Sequence, residues 1–159
     1  MSVQVRRATA RDCEEVARQA SAANREDGFG STTLTAEHIR AHAFGPGALT
    51  EILIAEDDRQ PVGHAIVYRG YDVRSASPNM VLANLYVTPQ ARRGGVARAI
   101  ITAVAQRARE QGCRRLHITT GLDNEVAHAF YAAIGAKQEQ TSVFILARDA
   151  LEWLATEGL

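Results

Sequence analysis

"ANLYVTPQARRGGVARAI", residues 83 to 100, is the stretch on which the reading of this chain turns. The first five residues are strand-like and give way to "TPQ". From Val96 apolar side chains recur at helical spacing through "VARAIITAVAQRARE" until Gly112 closes the pattern. Between strand and helix stand Arg92, Arg93, Gly94 and Gly95. A glycine inside a helix costs roughly 1 kcal/mol against alanine, so helix stability does not explain this pair. A loop between the carboxyl end of a strand and the amino end of a helix offers first-turn N–H groups without partners, together with the positive end of the macrodipole. That setting suits a phosphate. Glycine lets the phosphate reach the backbone, and Arg92, Arg93 and Arg98 can add charge-assisted bonds.

Outward from this stretch the chain alternates strands and helices. "VQVRRAT" reads as a short strand, and "TARDCEEVARQASAAN" as a helix capped by Thr9. A polar, glycine-rich loop "NREDGFGSTT" precedes a short helix "TAEHIRAHAF" that ends at "GPG". "TEILIAEDDRQPVGHAIVYRGYDV" holds two β-branched runs around turn chemistry, an antiparallel hairpin. "MVLANLYVT" is a strand, "RRLHITT" another, "NEVAHAFYAAI" a helix closed by Gly135, and "SVFILA" a final strand before "RDALEWLATEG". Residues 1–159 are therefore expected to form one α/β domain, a mixed sheet with helices on its faces.

Eighteen basic and eighteen acidic residues cancel, which argues against nucleic acid or an anionic membrane held by bulk charge. No window approaches the ~20 apolar residues of a membrane span, and the first residues have no signal-peptide core. The two cysteines, Cys13 and Cys113, make no disulfide framework and suit a reducing cytoplasm. His38 and His42 are spaced i, i+4, but no third ligand accompanies them, so no metal is expected.

The phosphate loop lacks both the G-x-G-x-x-G and the G-x-x-x-x-G-K-[ST] patterns. Arg92-x-x-Gly95-x-Ala97 instead resembles the Q/R-x-x-G-x-G/A signature of the GCN5-related N-acetyltransferases, and "NEVAHAFYAAIGA" resembles their N-x-x-A-x-x-F-Y-x-x-x-G motif through Asn124, Ala127, Phe130, Tyr131 and Gly135. The likeness runs across nearly the whole chain and is strongest to the diamine and polyamine branch, which includes thialysine-type enzymes. It implies a mostly antiparallel sheet whose central strands splay apart, acetyl-CoA as cosubstrate, a small primary amine as acceptor and direct attack in a ternary complex. A homodimer packed through the tail, with Leu151, Trp153 and Leu154, is also implied.

By the same resemblance the diphosphate lies on Arg92, Arg93, Gly94, Gly95, Val96, Ala97 and Arg98, and the pantetheine arm pairs with Leu85, Tyr86 and Val87, where Val87 N–H is the expected oxyanion donor. Asn124 contacts the cosubstrate, although an asparagine that starts a helix is also an ordinary cap. Tyr131 is the expected acid for the departing thiolate; a phenol of pKa ~10 is a good hydrogen-bond donor toward it. The alternative is a core aromatic at helical spacing beside Phe130.

The general base departs from the pattern. Polyamine-type relatives carry Glu-Asp where this chain has Ala83-Asn84. An ammonium of pKa ~10 must lose its proton before attack, so another group serves or the amine arrives neutral. His117, in "RRLHITT", is the substitute of choice, or else a histidine bonded within the sheet. Asn84 takes the place of one acid and Leu122 of another, which leaves Glu26 and Asp27 as anchors for a cationic amine or as a solvated face. The depleted charge favours an acceptor less cationic than spermidine. A weak or inert CoA-binding module and a protein-amine acetyltransferase are the alternatives.

Overall fold

The β-branched runs pair as a hairpin across Asp58 and Arg59, both at positive φ, in the computed structural model, which describes residues 3–28 and 33–156. Two compact units result, residues 1–119 and 120–159. In the first, β1 (Gln4–Arg7), β2 (Glu51–Asp57), β3 (Gln60–Asp72), β4 (Ser77–Val87) and β5 (Arg115–Ile118) form one sheet in chain order. All neighbours are antiparallel except β4 and β5, which run parallel. The mixed, mostly antiparallel sheet is thus as expected.

Helices α1 (Cys13–Glu26), α2 (Ala36–Phe44) and α3 (Val96–Glu110) accompany this sheet. Adjacent strand residues point to opposite faces, and β3 shows which helix covers which. A Cβ on Gly63 would stand 3.2 Å from the Ile100 side chain of α3, whereas the His64 ring meets Gln19 of α1. On the α1 side Cys13, Val16, Ala36, Ile39, Ile52 and Ile54 form a buried cluster. Thr9 caps a single 3-10 turn, Ala10–Asp12, that leads into α1. The centre of the loop expected after α1, residues 29–32, lies outside the described residues.

β4 starts at Ser77, ahead of the apolar run that announced it. Its pairing with β3 slips once: Val67 opposes Leu82 and Ile66 opposes Asn84, so Ala83 is the extra residue of a bulge. The parallel pairing with β5 ends at Leu82 and Ile118, where the bulge begins. From Ala83 to Val87 the far edge of β4 has no strand beside it among the described residues. The expected parting of the central strands is present, and its cause is one inserted residue.

In the second unit α4 (Glu125–Ala133) is capped by Asn124, whose side-chain oxygen accepts from Ala127 N–H at 3.0 Å, and Gly135 at φ 90° closes it. The tail forms α5 (Arg148–Thr156). The strand expected over residues 142–147 is not formed: no described strand pairs with it, and Phe144 is 93% exposed. Its alternation of apolar side chains supplies propensity, but a strand is stable only beside a neighbour. No described helix is long and apolar enough to cross a membrane.

Candidate active site

Alternation along β4 determines which backbone groups face its open edge. Thr88 N–H donates to Val62 O at 2.9 Å, on the β3 side. The amide of Val87 therefore points the other way, as does that of Leu85, into the space left by the parting of β5. Val87 O is on this edge too, where Arg92 Nε donates to it at 3.0 Å. Tyr86 is buried, with its backbone turned to β3.

The chain then turns through Pro89–Ala91 and enters α3 by Arg93 at φ 61° and Gly95 at φ 82°. An L side chain at Gly95 would meet no atom within 4 Å but would carry the strain of the left-handed region. α2 and α4 begin with a side-chain cap, from Thr35 and Asn124, whereas Gly95 supplies none. The first bond into the helix is Ala99 N–H to Gly95 O, which leaves the amides of Val96, Ala97 and Arg98 without backbone partners among the described residues. Val96 is buried and anchors the turn, while Arg93, Gly94 and Arg98 are exposed, and neither arginine makes a salt bridge among the described residues.

Arg92 is already engaged. Its Nη2 lies 2.6 Å from Glu26 Oε2, and its guanidinium sits 5.7 Å from the centre of the Tyr86 ring. The Tyr86 hydroxyl donates to the same carboxylate at 3.3 Å, and burial, reinforced by Glu26, pushes this phenol up. Glu26, read from sequence as a loop residue, is the last residue of α1. Asp27 follows as its exposed C-cap. Sequence expectations for a cosubstrate residue, Arg92, and an amine anchor, Glu26, thus converge on one ion pair.

Asn84 lies next to the bulge, with its carboxamide 2.8 Å from His64 Nε2. His117, on β5, has its Nδ1 3.0 Å from Asn79 Nδ2, while Asn79 Oδ1 is buried with no partner among the described residues. In the second unit Tyr131 stacks edge-on against Phe130, centroids 5.3 Å apart, and burial pushes its phenol up. A raised phenol keeps its proton through neutral pH. Leu122 is exposed.

Comparison with known proteins now identifies the scaffold. The model of the acetyltransferase (GNAT) family matches residues 11–136. The chain belongs to the GNAT acetyltransferases. Among curated GNAT relatives, the thialysine N-epsilon-acetyltransferase of Bos taurus is 29% identical over 144 residues, 85% of this chain and 84% of that protein. An aminoglycoside N(6')-acetyltransferase type 1 of Stenotrophomonas maltophilia is 33% identical over 90 residues, 55% of this chain and 59% of that protein. A solved integron cassette protein from the mobile metagenome of V. cholerae shares the fold with a TM-score of 0.82 at 22% identity, covering 99% of both chains. A ribosomal-protein-alanine N-acetyltransferase from Brucella melitensis shares it at 0.75, with 23% identity and 92% and 99% coverage.

This GNAT protein is accordingly an acyltransferase, of a family that uses acetyl-CoA. Sequence reading overlooked the polar chain behind Asn84. Its signal was His64, a histidine in the apolar run "PVGHAIVY", at a position fully withdrawn from solvent.

Proposed function

We propose that this protein transfers an acetyl group from acetyl-CoA to the primary amine of a small molecule. The observation that carries the reading is the continuity of the unpaired edge of β4, with the Leu85 and Val87 amides, into the uncapped first turn of α3 behind Gly95. An extended arm bearing amides pairs with the former, and a diphosphate is held by the latter. Arg92, Arg93 and Arg98 supply charge to that diphosphate, and Gly94, Val96 and Ala97 supply backbone. Asn124 is the further cosubstrate contact.

In the reaction the amine nitrogen bonds to the thioester carbon while the carbon–sulfur bond breaks. Val87 N–H receives the developing oxyanion, and Tyr131, held protonated by burial, gives its proton to the thiolate. The ammonium gives one proton to His117 before attack, and the second N–H proton, released as the amide forms, returns to Tyr131 in place of the one passed to the thiolate. His117 Nε2 acts as base in the tautomer that carries its proton on Nδ1, which requires the Asn79 carboxamide to turn its oxygen toward the ring. Glu26, Asp27 and Asn84 receive the amine. The names of the relatives, which act on thialysine and aminoglycosides, favour an amine of this kind.

Both units are read as one acetyltransferase domain, because the family match crosses residue 119. A homodimer is favoured by exposed Val143, Phe144, Ile145, Trp153 and Leu154, a strand-forming segment and a helix face that a second copy would cover. Light scattering tests it. A cytoplasmic setting is favoured by the free thiols Cys13 and Cys113.

The deciding experiment incubates the protein with acetyl-CoA and a panel of diamines, aminoglycosides and amino-acid amines, and reads released thiol. Transfer to at least one small amine is the expected result. Saturable CoA binding without transfer to any amine, peptides included, refutes it in favour of a binding module, and transfer to peptide amines alone refutes the small-molecule assignment.

A further inference from the structure

His64 is 0% exposed and sits between two carboxamides, with Nδ1 2.8 Å from Gln19 Oε1 and Nε2 2.8 Å from the Asn84 end placed as Oδ1. A neutral imidazole has one N–H and one lone pair, so one amide must accept and the other donate. Burial holds the ring neutral, with its pKa pushed down to about 4; the hydrogen bond from the Asn84 side chain and, less, the charge of Glu15 oppose this. Gln19 determines which amide accepts. Its Nε2 donates to Glu15 Oε1 at 2.7 Å and to Pro61 O at 3.3 Å, both acceptors only, so its oxygen is the end that faces the ring. Nδ1 therefore carries the proton.

The lone pair on Nε2 then requires a donor from Asn84. The two ends of a carboxamide are alike in shape and are told apart by what they bond, so Asn84 turns its NH2 to the ring and its oxygen away. That outer end has no partner among the described residues and belongs to a half-buried residue beside the Ala83 bulge. Asn84, His64 and Gln19 each donate one step toward Glu15, whose carboxylate is held ionised chiefly by Arg18. Aligned donation of this kind polarises the chain and strengthens the acceptor at its far end.

We propose that His64 is a positioning residue that keeps the Asn84 side-chain oxygen facing out of the bulge, where it accepts an N–H of the incoming amine. The reversed amide would present a donor there and repel an ammonium. The role at the amine rests on the acetyltransferase reading above; the orientation of Asn84 does not.

The experiment has two arms. Protein labelled with ¹⁵N-histidine is read by two-bond proton–nitrogen correlation, the His64 signals being assigned by their loss in His64→Gln. The expected pattern is the neutral Nδ1–H tautomer from about pH 5 to 8. An Nε2–H tautomer, or an imidazolium at pH 7, overturns the proposal whether or not any amine is acetylated. In Asn84→Asp the ring faces two acceptors and is expected to become doubly protonated at pH 7; persistence of the wild-type tautomer overturns it as well. In the kinetic arm, Asn84→Leu and His64→Phe, each checked for folding by circular dichroism, are expected to raise the amine KM roughly ten-fold, the loss of one hydrogen bond, with the acetyl-CoA KM within about two-fold. An unchanged amine KM in folded His64→Phe overturns the positioning role. Absence of transfer by the wild type would instead refute the acetyltransferase reading and, with it, the amine contact.

Discussion

Acidification should unfold this protein in a way that passes through one buried ring. In the folded chain the His64 pKa falls from 6.5 to about 4, chiefly because burial disfavours the charged form. The unfolded chain therefore binds the proton more readily. A group whose folded pKa is depressed contributes stability above its unfolded pKa and loses it as pH falls through the folded one. The contribution is complete above about pH 6.5 and declines from there to about pH 4. At ~1.4 kcal/mol per pK unit, the difference amounts to about 3 kcal/mol. The assay is urea unfolding of the wild type and His64→Gln across this range. Groups common to both proteins cancel in the difference, leaving the histidine. With a slope of ~2 kcal/mol/M for a chain of this size, the wild-type midpoint should fall relative to the variant by roughly 1 to 1.5 M between about pH 7 and pH 4. Parallel midpoint curves for the two proteins would refute the reasoning, since a ring that titrates alike folded and unfolded is neither desolvated nor held neutral.

Gly63→Ala sets a Cβ 2.6 Å from Tyr86 O and 3.3 Å from Val87 Cα, both backbone, so β4 must shift; a loss of about 2 to 3 kcal/mol in urea unfolding and a lower kcat are expected. Tyr131→Phe should reduce kcat by roughly 10² or more while leaving the acetyl-CoA KM nearly unchanged, read by thiol release. Gly95→Ala, forced to φ 82°, should lose about 1 to 2 kcal/mol and raise the acetyl-CoA KM, a combination that an unliganded turn would not show. Asp12, which accepts two bonds of 2.9 Å from Arg6, is held down to about 2, first by that pairing. Asp12→Asn should therefore lose about 2 kcal/mol at neutral pH, with the gap to wild type closing as pH falls from about 4 toward 2.

The order of elements was legible because each carries its own local signal. Apolar spacing marked α3, Thr35 and Asn124 are ordinary caps, and Gly112 and Gly135 take the positive φ that ends a helix. The parting of the central strands was anticipated only through resemblance, since no local pattern distinguishes Ala83 as an extra residue. "SVFILA" misled for the same reason: residues 142–147 have the composition of a strand, but pairing is settled by a neighbour and not by composition.

By itself the sequence determined the strand–loop–helix with its glycine turn and the residues of the two family motifs, because these depend on residue type and spacing within a few turns of chain. Only the tertiary structure decided that Arg92 meets Glu26 across 66 positions, that the Val87 amide faces an open edge, and that His64 lies sealed between Gln19 and Asn84. The reason is physical: hydrogen-bond direction, burial and the resulting proton positions belong to groups brought together from distant parts of the chain, and no single stretch of it contains them.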